Sequence, residues 1–230
     1  MSQTLNQFLQ TEIKFPTEYL DIVDRFSPFT MIPKWAFIEN LAILHHLGTQ
    51  SHGAFVECGT WKGGMSAAML NIGGPNREYH FFDSFEGLPP VQPIDGPLAA
   101  QWMADKTSAD YHDNCTANHE EFCRLLGQQP VPGERVHIHK GWFKDTLQHF
   151  PDQSIAVLRL DGDWYDSTME CLQWLFPKVV NGGVIIIDDY IALDGCVRAV
   201  HEYLSRNGLI SRITRTPYTS VTYLVKQEGK

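Results

Sequence analysis

The chain has 230 residues, with 18 Lys plus Arg against 27 Asp plus Glu, a formal net charge of -9 and 43% hydrophobic residues. That length holds one large domain or two small ones and buries a sizeable core. The acidity excludes a nucleic-acid partner, which needs clustered Lys and Arg for its phosphates, and favours a neutral or cationic small molecule.

The N-terminus, MSQTLNQFLQTEIKFPTEYL, has no basic stretch followed by an apolar one. No apolar run approaches the roughly 20 residues a bilayer needs, so a cytoplasmic protein without membrane contact is expected. Residues 1–53 read as a mainly helical cap. From Ala54 short apolar runs alternate with amphipathic stretches, the pattern of a mostly parallel sheet covered on both faces. The strand-like runs are AFVEC (Ala54–Cys58), YHFFD (Tyr79–Asp83), VHIHK (Val136–Lys140), IAVLRLD (Ile155–Asp161) and GVIIIDD (Gly183–Asp189). Apolar residues recur at three and four over Met65–Ile72, Ala117–Leu126 and Ser167–Val179, predicting helices there. Residues 84–114 form a long irregular insertion rich in Pro, Gly and Asp, expected as a lid or binding loop. A helix over Gly195–Arg206 precedes LISRITRT and TSVTYLVK, whose β-branched residues predict a closing antiparallel hairpin. The expected fold is a single doubly wound α/β domain, with five parallel strands, helices on both faces and a C-terminal antiparallel hairpin. Cys58, Cys115, Cys123, Cys171 and Cys196 are an odd set without a CxxC pair, which suggests neither a zinc ribbon nor a disulfide framework.

VECGTWKGGMSAAML places Glu57, Gly59, Gly63 and Gly64 where a strand passes into a helix, so backbone N–H groups and the helix dipole can meet a ligand. The glycines are spaced GxxxGG, not GxGxxG, and an acid stands two residues before the first. A carboxylate there repels a pyrophosphate and pairs with an ammonium group. Asp83 ends the next strand, where an α/β nucleotide fold presents a carboxylate to ribose hydroxyls. A cationic nucleoside without phosphates satisfies both observations, and S-adenosylmethionine is such a ligand. A tight turn, with Asp83 capping a loop, explains the glycines alone equally well.

LRLDGDWYDS and VIIIDDY put Asp161, Asp163, Asp166, Asp188 and Asp189 at the C-terminal ends of two strand-like runs, the edge where open α/β sheets bind ligands. Neighbouring strands lie about 4.8 Å apart, close enough for Asp161, Asp188 and Asp189 to converge. Such carboxylates repel one another, and a hard cation such as Mg2+ resolves the conflict with oxygen ligands only. Bound there, it would make a hydroxyl easier to deprotonate. Asp163 can face the same cavity without ligating, as general base. Asp166 reads better as the cap of a helix starting near Tyr165.

Taken in order, VECGTWKGG, FFDSFEGLPP, GWFKDTL, LRLDGDWYDS and GGVIIIDDY resemble the macrocin O-methyltransferase family, whose members methylate sugar hydroxyls of macrolide and aminocoumarin natural products. The resemblance covers roughly residues 54–190. It implies a class I methyltransferase fold, S-adenosylmethionine as donor, Mg2+ as essential ion and a small-molecule hydroxyl acceptor; a homo-oligomer is expected with it. By motif it carries the metal role onto Asp161, Asp188 and Asp189 and the base onto Asp163. The cofactor role falls on Glu57, Gly59 and Thr60, on Asp83, Ser84 and Phe85, and on Gly141 and Trp142. The N-terminal region, which covers the acceptor pocket in the family, aligns only at FTMI (Phe29–Ile32). Three alternatives stay open: a catechol-type acceptor, a metal-dependent glycosyltransferase using the DGD triplet, and a non-catalytic cofactor-binding protein.

Other residues read as packing. His137 and His139 alternate on one strand face, with His80 in the strand before, but no third soft ligand stands at zinc-like spacing. Trp142 reads as an adenine stack or a core residue, Trp164 and Tyr165 as an acceptor wall or as packing, and Cys58 as a small buried residue.

Overall fold

The structure, a computed structural model, describes residues 16–227, so residues 1–15 of the expected helical cap lie outside the described residues. Helices α1 (Thr17–Phe26) and α2 (Lys34–His46) come first. Strand β1 (Ala54–Cys58), helix α3 (Gly64–Gly73) and strand β2 (Tyr79–Asp83) follow. Helices α4 (Gly96–Ala104) and α5 (His119–Gly127) precede β3 (Val136–Lys140). After the short α6 (Phe143–Thr146) come β4 (Ile155–Leu160), α7 (Tyr165–Leu175) and β5 (Val179–Ile187). Helix α8 (Asp194–Arg206) leads to β6 (Ile213–Arg215) and β7 (Thr222–Val225).

The strands form one sheet in the order β3-β2-β1-β4-β5-β7-β6. β1 to β5 are mutually parallel and β7 runs antiparallel to both β5 and β6, as expected. Successive strand residues face opposite sides: Phe55, Phe81 and Val157 pack with α1, α2, α3 and α5, while Val56, Phe82 and Leu158 pack with α7 and α8. Burial on both faces is why these strands are nearly continuous apolar runs. The chain order reverses between β1 and β4, which opens a crevice at their C-terminal ends.

Several elements differ from the sequence reading. α7 ends at Leu175 instead of running to Val179, because Pro177 follows in a 3-10 turn over Phe176–Lys178 and cannot continue an α-helix. β5 accordingly starts at Val179, ahead of Gly183. The insertion contains α4, which the sequence hides: GPLAAQWMA buries only Ala99 and so shows little amphipathic period. α5 starts at His119, where the Asn118 side chain accepts hydrogen bonds from the Glu120 and Glu121 N–H groups at 2.9 and 3.1 Å.

Buried polar groups fasten the outer elements to the sheet. Glu39 of α2, 1% exposed, accepts hydrogen bonds from the Thr216 and Thr219 hydroxyls and from the Tyr218 and Thr219 N–H groups, so it holds the turn between β6 and β7. The insertion is tied down by Trp164, whose indole N–H donates to Pro89 O at 2.9 Å, and by Asp95, which accepts the Tyr165 N–H at 2.7 Å. No helix among the described residues is long and apolar enough to cross a membrane.

Candidate active site

A cavity of about 860 Å³ lies along the C-terminal edge of β1, β2, β4 and β5. Six of the eight expected cofactor residues border it: Glu57, Gly59, Thr60, Asp83, Ser84 and Trp142. Phe85 and Gly141 stand behind. Phe85 is 6% exposed and packs edge-on against Phe122, and the Gly141 N–H donates to Asp83 O at 2.9 Å.

The loop after β1 needs its glycines. Gly59 has a φ of +86°, and a Cβ there would lie 1.7 Å from the Asp161 carbonyl oxygen. Gly63, at φ +90°, is the N-cap of α3, and a Cβ on it would meet the Phe122 ring at 2.7 Å. Asp83 shapes the loop from β2. Its Oδ2 accepts the Thr60 and Trp61 N–H groups at 2.7 and 2.9 Å, and its Oδ1 accepts the Phe85 N–H at 2.7 Å. The Thr60 hydroxyl also donates to Oδ2 at 3.3 Å, so the acceptor position that Asp83 keeps for a ligand is the second one on Oδ1. Glu57 is different: it is fully buried, with Oε1 on the Arg159 guanidinium at 3.0 Å and Oε2 on the Ser66 hydroxyl. Burial pushes its pKa up to about 7, against the pull of Arg159 and Ser66.

The carboxylates converge. One oxygen from each of Asp161, Asp188 and Asp189 lies within 4.8 Å of the other two. Leu160 of β4 pairs with Ile187 of β5, so the next residue on each strand, Asp161 and Asp188, emerges side by side. Asp189 Oδ2 accepts the Asp163 N–H at 2.9 Å, which holds Asp163 in a left-handed conformation at φ +58°. Asp163 borders the same cavity. Burial, then the charges of Asp161, Asp188 and Asp83, raise its pKa well above the usual carboxylate range. Burial raises Asp161 to about 6 despite Arg159, and burial with the neighbouring aspartates raises Asp189 well above its ordinary value.

Sequence reasoning missed Arg159. Its side chain, 1% exposed, donates from Nη1 to Asp161 Oδ2 at 2.7 Å and from Nη2 to Asp188 Oδ1 at 2.5 Å, besides holding Glu57. Burial alone would lower its pKa, but the carboxylates of Asp161, Asp188 and Glu57 outweigh that and raise it well above normal. The aspartates are therefore partly compensated from within. The signal was an arginine inside an apolar run: a charge in a strand buried on both faces requires carboxylate partners. Asp166 is not the cap of α7 that its position in the sequence suggests. Trp164 is the N-cap of α7 without a side-chain bond, Asp166 lies in the first turn, and the Tyr165 N–H goes to Asp95 instead.

The histidines pack, as read. His80 stacks on His137 and His139 with ring centroids 4.5 and 5.2 Å apart, and Asp161, Asp188 and Asp189 are the one metal-capable group among the described residues. Cys115 borders the cavity, and burial and then Asp163, Asp161 and Asp189 push its thiol up to about 12, which disfavours the thiolate form.

The sheet order, the helices on both faces, the antiparallel last strands and the crevice after β1 define the class I methyltransferase fold. A family profile described as macrocin-O-methyltransferase (TylF) matches residues 29–224. The chain belongs to that family. It is 36% identical over 176 residues to 8-demethyl-8-(2,3-dimethoxy-alpha-L-rhamnosyl)-tetracenomycin-C 4'-O-methyltransferase of Streptomyces olivaceus, covering 74% of this chain and 64% of that protein. It is 37% identical over 166 residues to demethyldecarbamoylnovobiocin O-methyltransferase of Streptomyces niveus, covering 70% of this chain and 61% of that protein. The solved structure of the O-methyltransferase NovP superposes with a TM-score of 0.71 at 31% identity, covering 87% of this chain and 83% of that one. The chain thus matches just under two thirds of the length of these curated relatives.

Proposed function

We propose that this protein is an O-methyltransferase that moves the methyl group of S-adenosylmethionine to a hydroxyl, on a sugar of a specialised metabolite, with Mg2+ held by Asp161, Asp188 and Asp189. The observation that carries the reading is the convergence of those three carboxylates within 4.8 Å beside the glycine loop. The donor set fits a hard cation: it is all oxygen, and Asp161 and Asp188 each give one oxygen to Arg159 and keep the other. The cavity fits the donor, since its 860 Å³ is ample for a nucleoside and an acceptor group, and Asp83 stands where ribose hydroxyls would sit. Glu57, with both oxygens engaged, acts through its charge and through Arg159.

When bound, the donor supplies an electrophilic methyl on sulfur, and the cation eases deprotonation of a nearby hydroxyl. Asp163 accepts that proton. It borders the same cavity without being one of the three proposed ligands, which is the place a general base needs. With the donor bound, the freed oxygen would take its methyl as the carbon–sulfur bond breaks, with S-adenosylhomocysteine as the product. Holding the two reactants together at this edge is the larger part of the work asked of the fold.

The acceptor enters between Thr30–Ala36 and the turn at Thr219–Val221, under Leu88–Pro90 of the insertion, all of which contribute residues to the cavity wall. Family membership favours methyl transfer over the nucleotide-sugar alternative. Calorimetric titration with S-adenosylhomocysteine and with UDP-glucose separates the two: binding of the first is expected, and binding of only the second overturns the reading. Transfer of labelled methyl to a panel of glycosylated metabolites then identifies the acceptor.

A further inference from the structure

We infer that Arg159 is the positioning residue that assembles the cation site, clamping one oxygen each of Asp161 and Asp188 and so fixing both carboxylates beside Asp189. The inference rests on the cation reading above and adds a residue that does not itself ligate.

The clamp is built on the sheet. Arg159 pairs with Glu57 across β1 and with Ile186 across β5, so its backbone is fixed on both sides. Its two terminal nitrogens reach carboxylates borne by different strands, at 2.7 and 2.5 Å. The planar guanidinium sets the angle between them, as a flexible ammonium cannot. Glu57 accepts a second hydrogen bond from the same Nη1 at 3.0 Å and is itself anchored by the Ser66 hydroxyl. Ligands oriented by a buried second partner lose affinity for their ion when that partner goes.

Charge counting predicts the opposite. Arg159 is a cation beside a cation site, so if it only balanced charge, its removal would strengthen binding of a divalent ion. The sign of the effect therefore separates clamp from counter-charge.

Mn2+ is the probe, its binding to the full chain followed by electron paramagnetic resonance, with thermal unfolding recorded alongside. Arg159→Met is expected to weaken Mn2+ binding by at least about tenfold. Arg159→Lys keeps the charge without the fork and is expected to fall between that variant and the wild type, with an altered fine structure of bound Mn2+. Unchanged or tighter binding in Arg159→Met overturns the inference. Should that variant fail to fold, Arg159→Lys decides, and wild-type affinity with an unaltered spectrum overturns the clamp. A wild-type protein that binds no Mn2+ defeats the cation reading itself, and the clamp with it; a wild-type protein that binds beside variants that bind equally well defeats only the clamp.

Discussion

Gly59→Ala tests whether the glycine loop and the carboxylate cluster are one object. The added methyl would sit 1.7 Å from the Asp161 carbonyl oxygen, and since Cβ contacts essentially never fall below 3.0 Å, the two backbones must part by about 1.3 Å. Neither yields freely: the Gly59 N–H donates to Phe82 O and the Asp161 N–H to Cys58 O, each at 2.9 Å. Alanine at a φ of +86° costs about 1–2 kcal/mol, and the forced separation about 1–3 kcal/mol more. A displacement near 1 Å in a reacting constellation costs roughly 100-fold in rate. Denaturant unfolding should show a loss of about 2–5 kcal/mol. Mn2+ affinity and labelled-methyl transfer should fall together, because Asp161 moves with its carbonyl. Gly133→Ala, where a Cβ meets nothing within 4 Å, is the control and should change stability by less than about 0.5 kcal/mol. A Gly59→Ala protein that keeps wild-type stability and Mn2+ affinity would refute the coupling.

Asp163→Asn should leave S-adenosylhomocysteine and Mn2+ binding intact while methyl transfer drops by about 100- to 10,000-fold, and unchanged turnover removes Asp163 from the role of base. Glu39→Ala strips the acceptor from four donors in the turn between β6 and β7. It should cost about 2–4 kcal/mol and raise amide exchange at residues 216–221, whereas protected amides there would show the turn is held otherwise. His80 is buried, and burial with its neighbours His137 and His139 lowers its pKa to about 3. Between that value and the ordinary 6.5 only the unfolded chain takes the proton, so stability is lost as pH falls below about 6.5, by up to about 1.4 kcal/mol per pH unit. His80→Leu should flatten the dependence of melting temperature on pH between 7 and 5; an unchanged slope would show that other groups set it.

The element order was legible because each element carries its own local signature. A strand covered on both faces must be apolar throughout, so β1, β2, β4 and the second half of β5 stood out, and the five-residue β1 was bounded as read. The site was legible for a related reason. Ligands gather beyond strand ends, so an acid that closes an apolar run is placed by the run itself, and Asp161, Asp188 and Asp83 all follow from that. α4 escaped because a helix with one buried residue leaves no period to detect.

What sequence alone determined here is everything with a period of two or of 3.6, together with the acids standing where those periods stop. Only the tertiary structure decided which side chain answers which. Arg159 holds Glu57 from 102 residues away, Asp95 takes the first free N–H of α7 across 70, and Glu39 secures a turn 177 to 180 residues distant. Spacing along the chain carries no information about such pairs. The Arg159 pairs exist because the sheet brings β1, β4 and β5 side by side, and a charge sealed between them stays in place only with a partner close at hand; the other two exist because the insertion packs against the start of α7 and α2 against the turn between β6 and β7.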